Sequence, residues 1–287
     1  MAGQADWAGA RERLRGRRRR LALGLATLFG RERGFFIPHR YAGAVEPCAY
    51  PALDAYLAAR FAAFESVLAT IETHAQRLEH LRGPAPGPRF DQAWFPTLDA
   101  AAAYAMVHRA RPARIVEVGS GHSTRFLARA IADAGLATEL VCIDPAPRAP
   151  LRDLPVRWIE AVVQQAAESW FTALQPNDVL FIDSSHILMP GTDVDWLLNR
   201  ILPSLAPAVL VHFHDVFLPD PYPEAWTWRG YNEQQAIAPL LQGQAYDCLF
   251  ASHYVRTRLR GHLEHGVLAR LPPPAAPESS LWLEKRN

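Results

Sequence analysis

The feature that most constrains the fold of this chain is an apolar strand that passes directly into a glycine turn. Residues 115–124 read Ile-Val-Glu-Val-Gly-Ser-Gly-His-Ser-Thr. Small hydroxyl residues follow the glycines and open an amphipathic segment, so the pattern predicts a strand, a turn and a helix in succession. A turn of this kind lets a ligand contact the backbone at the carboxyl edge of a parallel sheet.

The position of a second acid indicates that the ligand contains a nucleoside. Asp144 closes the next apolar run, Leu140 to Ile143. It follows Gly119 at roughly the 20-residue distance at which an acid binds the hydroxyl pair of a ribose. The sequence therefore predicts an enzyme with a nucleoside cofactor. The alternative is an ordinary strand, turn and helix of a doubly wound protein.

The turn departs from the fingerprint of dinucleotide-binding proteins. That fingerprint has a third small residue three positions after the second glycine, where this chain has Thr124. A carboxylate at Glu117 would face a pyrophosphate, whereas it suits a ligand with an ammonium group and no phosphates. S-adenosylmethionine is such a ligand. A dinucleotide-dependent oxidoreductase is the alternative in this class.

The run from Glu117 to Thr124 resembles the first motif of class I S-adenosylmethionine-dependent methyltransferases, and in particular a bacterial branch with Gly-His-Ser-Thr at this point. The resemblance implies methyl transfer by in-line displacement, in which alignment of the reactants supplies most of the rate enhancement. Ser123 is the candidate for the methionine carboxylate and Asp144 for the ribose. A non-catalytic module that retains the fold is a further alternative. The implied cofactor site consists of Glu117, Gly119, Ser120, Gly121, Ser123, Thr124 and Asp144.

Two further strand ends carry polar side chains. The fourth predicted strand is followed by Asp183 and His186, and the fifth by His214 and Asp215. Open α/β sheets place ligands at the carboxyl ends of their strands. Carboxylates and imidazoles bind divalent metals, and they also transfer protons. The alternative is that Asp183 caps a turn and that the histidines are ordinary polar residues.

At these strand ends the chain resembles catechol and macrocin O-methyltransferases, which hold magnesium. The resemblance implies a divalent metal, Mg²⁺, Mn²⁺ or Fe²⁺, at Asp183, His214 and Asp215, and a hydroxyl of a small molecule as the acceptor. His214 replaces a carboxylate of those families, which leaves the identity of the metal open. His186 corresponds in position to their catalytic lysine, and Lys285 is the sole lysine here. His186 is therefore the predicted general base, with Asp183 and His214 as its catalytic neighbours.

The order of elements predicts the fold class and the domains. We expect a helical N-terminal extension and linker over residues 1–88 and a methyltransferase domain over 89–287. Strands that alternate with helices predict a doubly wound α/β fold with a mainly parallel, seven-stranded, Rossmann-like sheet; the antiparallel last pair is implied by the resemblance alone. The predicted strands are 114–118, 139–143, 156–159, 178–182, 208–213, 247–250 and 281–283, and helices are predicted near 97–109, 123–134, 164–174, 193–202 and 232–241.

The N-terminal region combines basic and apolar runs. Arg17 to Arg20 precede a short apolar run, which is well below the ~20 residues of a membrane span. We expect an amphipathic helix that docks on the protein itself or joins two copies of the chain in a homo-oligomer; association with a membrane surface is the alternative. The aromatic segment 35–41 is expected to cover a pocket or to seal a hydrophobic edge. The long loop 216–230 is expected to form a lid over an apolar or sugar-like substrate or to pack on itself.

Charge and cysteine content limit the partners. The formal net charge is +1, which predicts no general attraction to nucleic acid. The three cysteines are far apart and show no metal or disulfide spacing, as is typical of a reducing compartment. The sequence predicts a cytoplasmic enzyme without a transmembrane segment that acts on a small molecule.

Overall fold

The computed structural model describes residues 3–29 and 46–286. These residues form two compact units. The smaller unit contains the N-terminal helix and the segment Asp220–Tyr231. The larger unit contains Tyr50–Pro219 and the chain from Asn232 onward. The aromatic segment predicted as a pocket cover near the N-terminus lies outside the described residues.

Within the smaller unit, helix α1 (Gly3–Leu28) packs on a 3₁₀ helix, Glu224–Arg229. The guanidinium of Arg20 donates to the carbonyl of Trp228 at 3.4 Å. A Cβ at Gly16 would lie 2.7 Å from the Trp228 ring, so the glycine permits close approach of the two segments. This packing agrees with the expectation of a helix that docks on the protein itself. None of the helices in the described residues is both long and apolar enough to cross a membrane.

The larger unit begins earlier than the predicted domain boundary at residues 88–89. Residues 51–79 are helical, and their buried side chains, such as Leu53 and Phe64, join the same core as the sheet. The predicted linker therefore does not separate two units. The helices of this unit are α2 (Pro51–Ala58), α3 (Phe61–Thr73), α4 (Ala75–Glu79), α5 (Thr97–Ala110), α6 (His122–Asp133), α7 (Ser169–Thr172), α8 (Asp193–Trp196), α9 (Leu202–Ser204), α10 (Glu233–Gln242), α11 (Ser252–Arg258) and α12 (Gly266–Arg270).

The larger unit is built around one seven-stranded sheet in the order β3-β2-β1-β4-β5-β7-β6. The first five strands are parallel, and β7 lies antiparallel between β5 and β6. The predicted fold class is therefore confirmed, including the antiparallel edge that the resemblance implied. The strands are β1 (Arg114–Val118), β2 (Glu139–Ile143), β3 (Arg157–Ile159), β4 (Val179–Ile182), β5 (Leu210–Phe213), β6 (Tyr246–Ala251) and β7 (Leu281–Lys285).

The register of the central strands positions the polar residues that follow them. Val118 at the end of β1 is paired with Ile182 at the end of β4, and Ile182 is paired with Phe213 at the end of β5. The three strands are buried and end level with one another. The residues that come next, Gly119, Asp183 and His214, consequently emerge side by side at one edge of the sheet.

Short elements account for most differences from the predicted pattern. The expected helix over 164–174 is a 3₁₀ turn, Val163–Gln165, followed by α7. Helices α11 and α12 were not predicted, because elements of 7 and 5 residues are too short to show a clear helical period. Lys285, the chain's only lysine, donates to two carbonyls within α9 and to that of Leu205, directly after it, at 2.7 Å. Its ammonium group therefore has a structural role.

Candidate active site

The turn after β1 brings the backbone close to the end of β4. Gly119 has a φ of +80°, and a Cβ there would lie 1.9 Å from the carbonyl oxygen of Asp183. Only glycine meets both conditions. A Cβ at Gly121 would come within 3.3 Å of the Arg148 side chain. The two glycines thus keep a narrow space open beside the turn.

Glu117 lies beneath the turn and is fully buried. Its carboxylate accepts hydrogen bonds from Ser123 Oγ and Thr124 Oγ1, both at 2.6 Å, and contacts Cys142 Sγ at 3.4 Å. Burial raises the pKa of Glu117 to about 7, although these donors oppose the rise. Both carboxylate oxygens accept from the start of α6, so the residue secures the turn. The contact of Glu117 with an ammonium group of a ligand stays a prediction.

Asp144, the predicted ribose ligand, holds the same turn from β2. Its Oδ2 accepts from the backbone N–H of Ser120 at 2.6 Å, and its Oδ1 accepts from that of Ala146 at 2.7 Å. The residue is only partly buried, and each carboxylate oxygen has a second lone pair. Asp144 therefore retains acceptor capacity for a ligand, and its binding role stays a prediction.

A small cavity connects the turn with the end of β4. The Oγ of Ser120 is buried there and has no hydrogen-bond partner within the described residues. An orphaned hydroxyl beside the obligatory Gly119 is the arrangement expected of a cradle for a polar ligand. The residues of the turn thus fit a bound cofactor. The cavity is lined by Trp94, Phe95, Ser120, Gly121, His122, Ser123, Arg148 and Asp183.

Four side chains from two strand ends meet next to this cavity. Asp183 Oδ1 lies 3.3 Å from His186 Nε2 and 3.6 Å from His214 Nδ1. Asp215 reaches the same two rings, with Oδ2 at 3.3 Å from His186 Nε2 and Oδ1 at 3.5 Å from His214 Nδ1. We call these four residues the strand-end cluster. The structure thus brings together the predicted metal ligands and the predicted base.

Two buried acids stand behind the imidazoles of the strand-end cluster. Glu233, at the start of α10, contacts His186 Nδ1 through Oε2 at 2.9 Å. Asp99, in the first turn of α5, lies with Oδ2 3.4 Å from His214 Nε2. Glu233 is 1% exposed and Asp99 is 0% exposed. Both acids therefore act on the cluster through the histidines.

The charges within the cluster shift the pKa values of its members strongly. Burial raises the pKa of Asp183, but the imidazoles of His214 and His186 outweigh it and hold that pKa well below its usual range. Burial lowers the pKa of each histidine, but the carboxylates of Asp215 and Asp183 outweigh it and hold both pKa values well above the usual range. Without a metal, the cluster therefore consists of ionised Asp183 beside two protonated imidazoles.

The neighbouring histidine of β5 belongs to the core. His212 is fully buried, and its ring stacks on Phe181 with centroids 3.7 Å apart. Its Nε2 lies 2.8 Å from Ser280 Oγ. Burial holds the pKa of His212 well below its usual range, so the ring stays neutral and takes no part in the cluster.

Sequence reasoning missed Glu233 and Asp99. Asp99 had a usable signal, since it is a single acid within an otherwise apolar stretch of α5. Glu233 had none, because an acid in the first turn of a helix is common for local electrostatic reasons. Sequence reasoning also missed Trp94 and Arg148, which line the cavity. The guanidinium carbon of Arg148 lies over the Trp94 ring, 4.1 Å from its centroid.

The fold and the site define a class I methyltransferase. The sheet order and the glycine turn with an acid after β2 have the arrangement that the sequence resemblance implied. Residues 116–216 match the family model described as a methyltransferase domain, Methyltransf_24, and this stretch contains the turn and the whole strand-end cluster. Within residues 116–216, the chain therefore contains a methyltransferase domain. The family match favours neither a dinucleotide-dependent oxidoreductase nor a non-catalytic module.

Comparison with other proteins adds only distant similarities. No curated protein sequence matches the chain. A Podospora anserina methyltransferase, PaMTH1, bound to S-adenosylhomocysteine, has 16% identity and a TM-score of 0.41, covering 88% of this chain and 100% of its own. An O-methyltransferase from Bacillus cereus, also in complex with S-adenosylhomocysteine, has 13% identity and a TM-score of 0.40, covering 76% of this chain and 91% of its own. The assignment rests on the family match and the topology.

Proposed function

We propose that the protein transfers the methyl group of S-adenosylmethionine to a hydroxyl oxygen of a small molecule, with the help of a divalent metal in the strand-end cluster. The observation that carries this proposal is the proximity of Asp183, His186 and Asp215 beside the glycine turn, with His214 in contact with both carboxylates. Cofactor and metal would then lie next to each other, because Asp183 belongs to both the cluster and the cavity.

The spacing of the cluster suits a metal. Ligand atoms at about 2.1 Å from an ion lie about 3.0–3.4 Å apart in octahedral or tetrahedral geometry. The observed contacts between carboxylates and imidazoles are 3.3–3.6 Å. One atom each from Asp183, His186 and Asp215 lie within 4.8 Å of one another. Small side-chain movements would complete the coordination of an ion.

Charge also favours a cation. The strand-end cluster and its two supporting acids comprise four carboxyl groups and two imidazoles, most of them buried. Even with both imidazoles protonated, these six side chains carry a formal charge of −2. Buried charge of one sign is costly unless an opposite charge accompanies it. The group therefore attracts cations, and a divalent ion in place of the two protons would supply the same charge of +2 through ligand bonds to the carboxylates and the neutral imidazoles.

The residues of the chain have distinct roles in the proposed reaction. The turn holds the methionine and ribose portions through Ser120 Oγ, Ser123 and Asp144. A divalent cation held in the strand-end cluster would lower the pKa of a hydroxyl that it coordinates. The hydroxyl proton would pass to solvent water, the oxygen would take the methyl group, and S-adenosylhomocysteine would leave. Because the pKa of Asp183 is held well below its usual range, its carboxylate would bind the cation and would not accept the proton of the hydroxyl. His186 Nε2 faces two carboxylates, and the proposal therefore places His186 among the ligands, in place of its predicted role as base.

The test is a methylation assay with a panel of small hydroxyl compounds, in which S-adenosylhomocysteine is quantified with and without a chelator. We expect turnover that stops on chelation and returns with added metal. Asp183→Asn should abolish turnover, whereas Asp153→Asn, at an exposed position of the same unit, should not. Turnover that is indifferent to chelation would contradict the metal-assisted mechanism. Methylation of amines alone would contradict the hydroxyl acceptor.

A further inference from the structure

We propose that the strand-end cluster is a centre of two histidines and two carboxylates that selects an imidazole-binding transition metal over Mg²⁺, and that Glu233 and Asp99 are positioning residues for its two histidines. This inference depends on the metal site of the proposed function. It goes beyond that site by assigning a fourth ligand, a class of ion and two supporting residues.

The first half of the centre is built around His186. Its Nδ1 contacts Glu233 Oε2 at 2.9 Å, and Glu233 is held in turn by the hydroxyl of Ser184 at 3.1 Å. A proton fixed between Nδ1 and this carboxylate leaves the Nε2 lone pair directed toward Asp183 and Asp215. Carboxylates commonly orient metal-binding histidines in this way.

The backbone supports the same arrangement. His186 adopts a φ of +61°, an uncommon conformation for a residue with a side chain. Its carbonyl accepts the backbone N–H of Asn232 at 3.0 Å, and the Asn232 side chain accepts the N–H of Leu188 at 2.6 Å. These bonds tie the loop after β4 to the start of α10, where Glu233 is located. The ring and its supporting acid are therefore fixed to each other through both backbone and side chain.

The second half has a related arrangement around His214, in which an acid lies behind the ring without forming a hydrogen bond to it. Asp99 lies 3.4 Å from Nε2, on the side of the ring away from the cluster, while Nδ1 faces Asp183 and Asp215. Asp99 accepts the backbone N–H of Ser279 at 3.0 Å and that of Ser280 at 3.1 Å. A fully buried carboxylate with this many donors cannot turn away from the histidine without leaving them unsatisfied.

The donor set determines which ion is preferred. Mg²⁺ favours a shell of oxygen ligands and retains several waters. Imidazole nitrogen binds Mn²⁺, Fe²⁺, Co²⁺, Ni²⁺ and Zn²⁺, with affinity that rises from Mn²⁺ to Ni²⁺, whereas carboxylates bind both Mg²⁺ and these transition metals. Two of the four cluster ligands are imidazoles, and each is held in place by a buried acid. The cluster should therefore discriminate against Mg²⁺ even when Mg²⁺ is in excess.

The experiment measures metal binding by the full-length protein. Metal-free protein is dialysed anaerobically against equal amounts of Mn²⁺, Fe²⁺, Co²⁺ and Zn²⁺ with a 100-fold excess of Mg²⁺, and the bound ions are counted by mass spectrometry. We expect about one transition-metal ion per chain. Pulsed EPR of the Mn²⁺-loaded protein should show coupling to two imidazole nitrogens, a result that needs no variant.

Variants then test the positioning residues. Glu233→Gln and Asp99→Asn should each weaken Mn²⁺ binding about 10–100-fold and leave binding of S-adenosylhomocysteine unchanged. Glu65→Gln and Asp153→Asn, at exposed positions, are the matched controls and should bind Mn²⁺ normally. If a variant at a buried acid does not fold, the nitrogen count of the wild type still decides the ligand set.

The outcomes separate this inference from the proposed function. Preferential binding of Mg²⁺, or coupling to fewer than two nitrogens, would overturn the two-histidine centre while leaving metal-assisted transfer intact. Failure of every ion to bind, with turnover indifferent to chelation, would overturn both. Unchanged Mn²⁺ affinity in folded Glu233→Gln and Asp99→Asn variants would overturn the positioning roles alone.

Discussion

Replacing Glu117 by glutamine tests whether this acid is a support of the turn or a ligand of the cofactor. The carboxyl group is fully buried and bonded to Ser123 and Thr124. Burial raises its pKa from an ordinary value of 4.5 to about 7. The folded protein therefore retains this proton to a higher pH than the unfolded chain does. Glutamine has nearly the same shape and cannot ionise.

The sign and size of the effect follow from linkage. The stability that Glu117 contributes in its protonated form is fully present below pH 4.5 and is lost as the pH rises to about 7. One pKa unit corresponds to about 1.4 kcal/mol, so the loss amounts to about 3 kcal/mol in all. The free energy of unfolding of Glu117→Gln, measured relative to that of the wild type, should therefore be about 2–3 kcal/mol higher at pH 8 than at pH 5. Any cost of rearranged hydrogen bonds is common to both conditions and cancels.

The assay is urea unfolding of both proteins at pH 5 and pH 8, together with calorimetric titration of S-adenosylhomocysteine at pH 8. Glu65→Gln, at an exposed position of α3, is the control and should show the same difference at both pH values. We expect Glu117→Gln to bind the cofactor product almost as well as the wild type. A stability difference that does not change with pH, or an affinity loss of tenfold or more in a folded variant, would refute the structural role.

Four further predictions concern the turn and the strand-end cluster. Asp144→Ala should weaken binding of S-adenosylhomocysteine about tenfold or more, because a buried donor loses its charged acceptor; equal affinities in calorimetry would exclude the ribose assignment. Gly119→Ala should lower the free energy of unfolding by more than about 1 kcal/mol, because alanine is strained at positive φ and its Cβ would meet the Asp183 carbonyl; unchanged urea unfolding would contradict this. His186→Ala should lose bound metal on dialysis and, with it, most of its turnover; a variant that keeps its metal but has lower turnover and an altered pH dependence of its rate would return His186 to the role of general base. Metal affinity should weaken as the pH is lowered through neutrality, because the pKa values of His186 and His214 are raised well above the usual range and protons compete with the metal for their nitrogens; an affinity independent of pH in a Co²⁺ titration would show that these rings are not ligands.

Local patterns in the sequence were sufficient for the framework of the site. The apolar run before Gly119 and the acid after β2 predicted the turn and the parallel strands beside it, because side-chain periodicity and glycine conformation act over a few residues. The strand-end positions of Asp183 and Asp215 followed from the rule that parallel strands end at the same edge of a sheet. Their proximity to each other was thus predictable before any tertiary contact was known.

Tertiary structure decided what these residues do. Glu117 has the spacing of a cofactor ligand, yet its carboxylate lies under the turn, because the orientation of a side chain at a strand end depends on packing by neighbouring elements. His212 and His214 look equivalent in the sequence, but one stacks in the core and the other enters the cluster.

The supporting acids show the same limit most clearly. Glu233 meets His186, and Asp99 meets His214, across separations in the chain that no local period spans. Their positions depend on how α10 and α5 pack against the sheet. The sequence by itself determined which strands end together and which chemical groups follow them. Only the folded chain determined which of those groups face one another, since burial and long-range contact are properties of the packed structure and not of any segment.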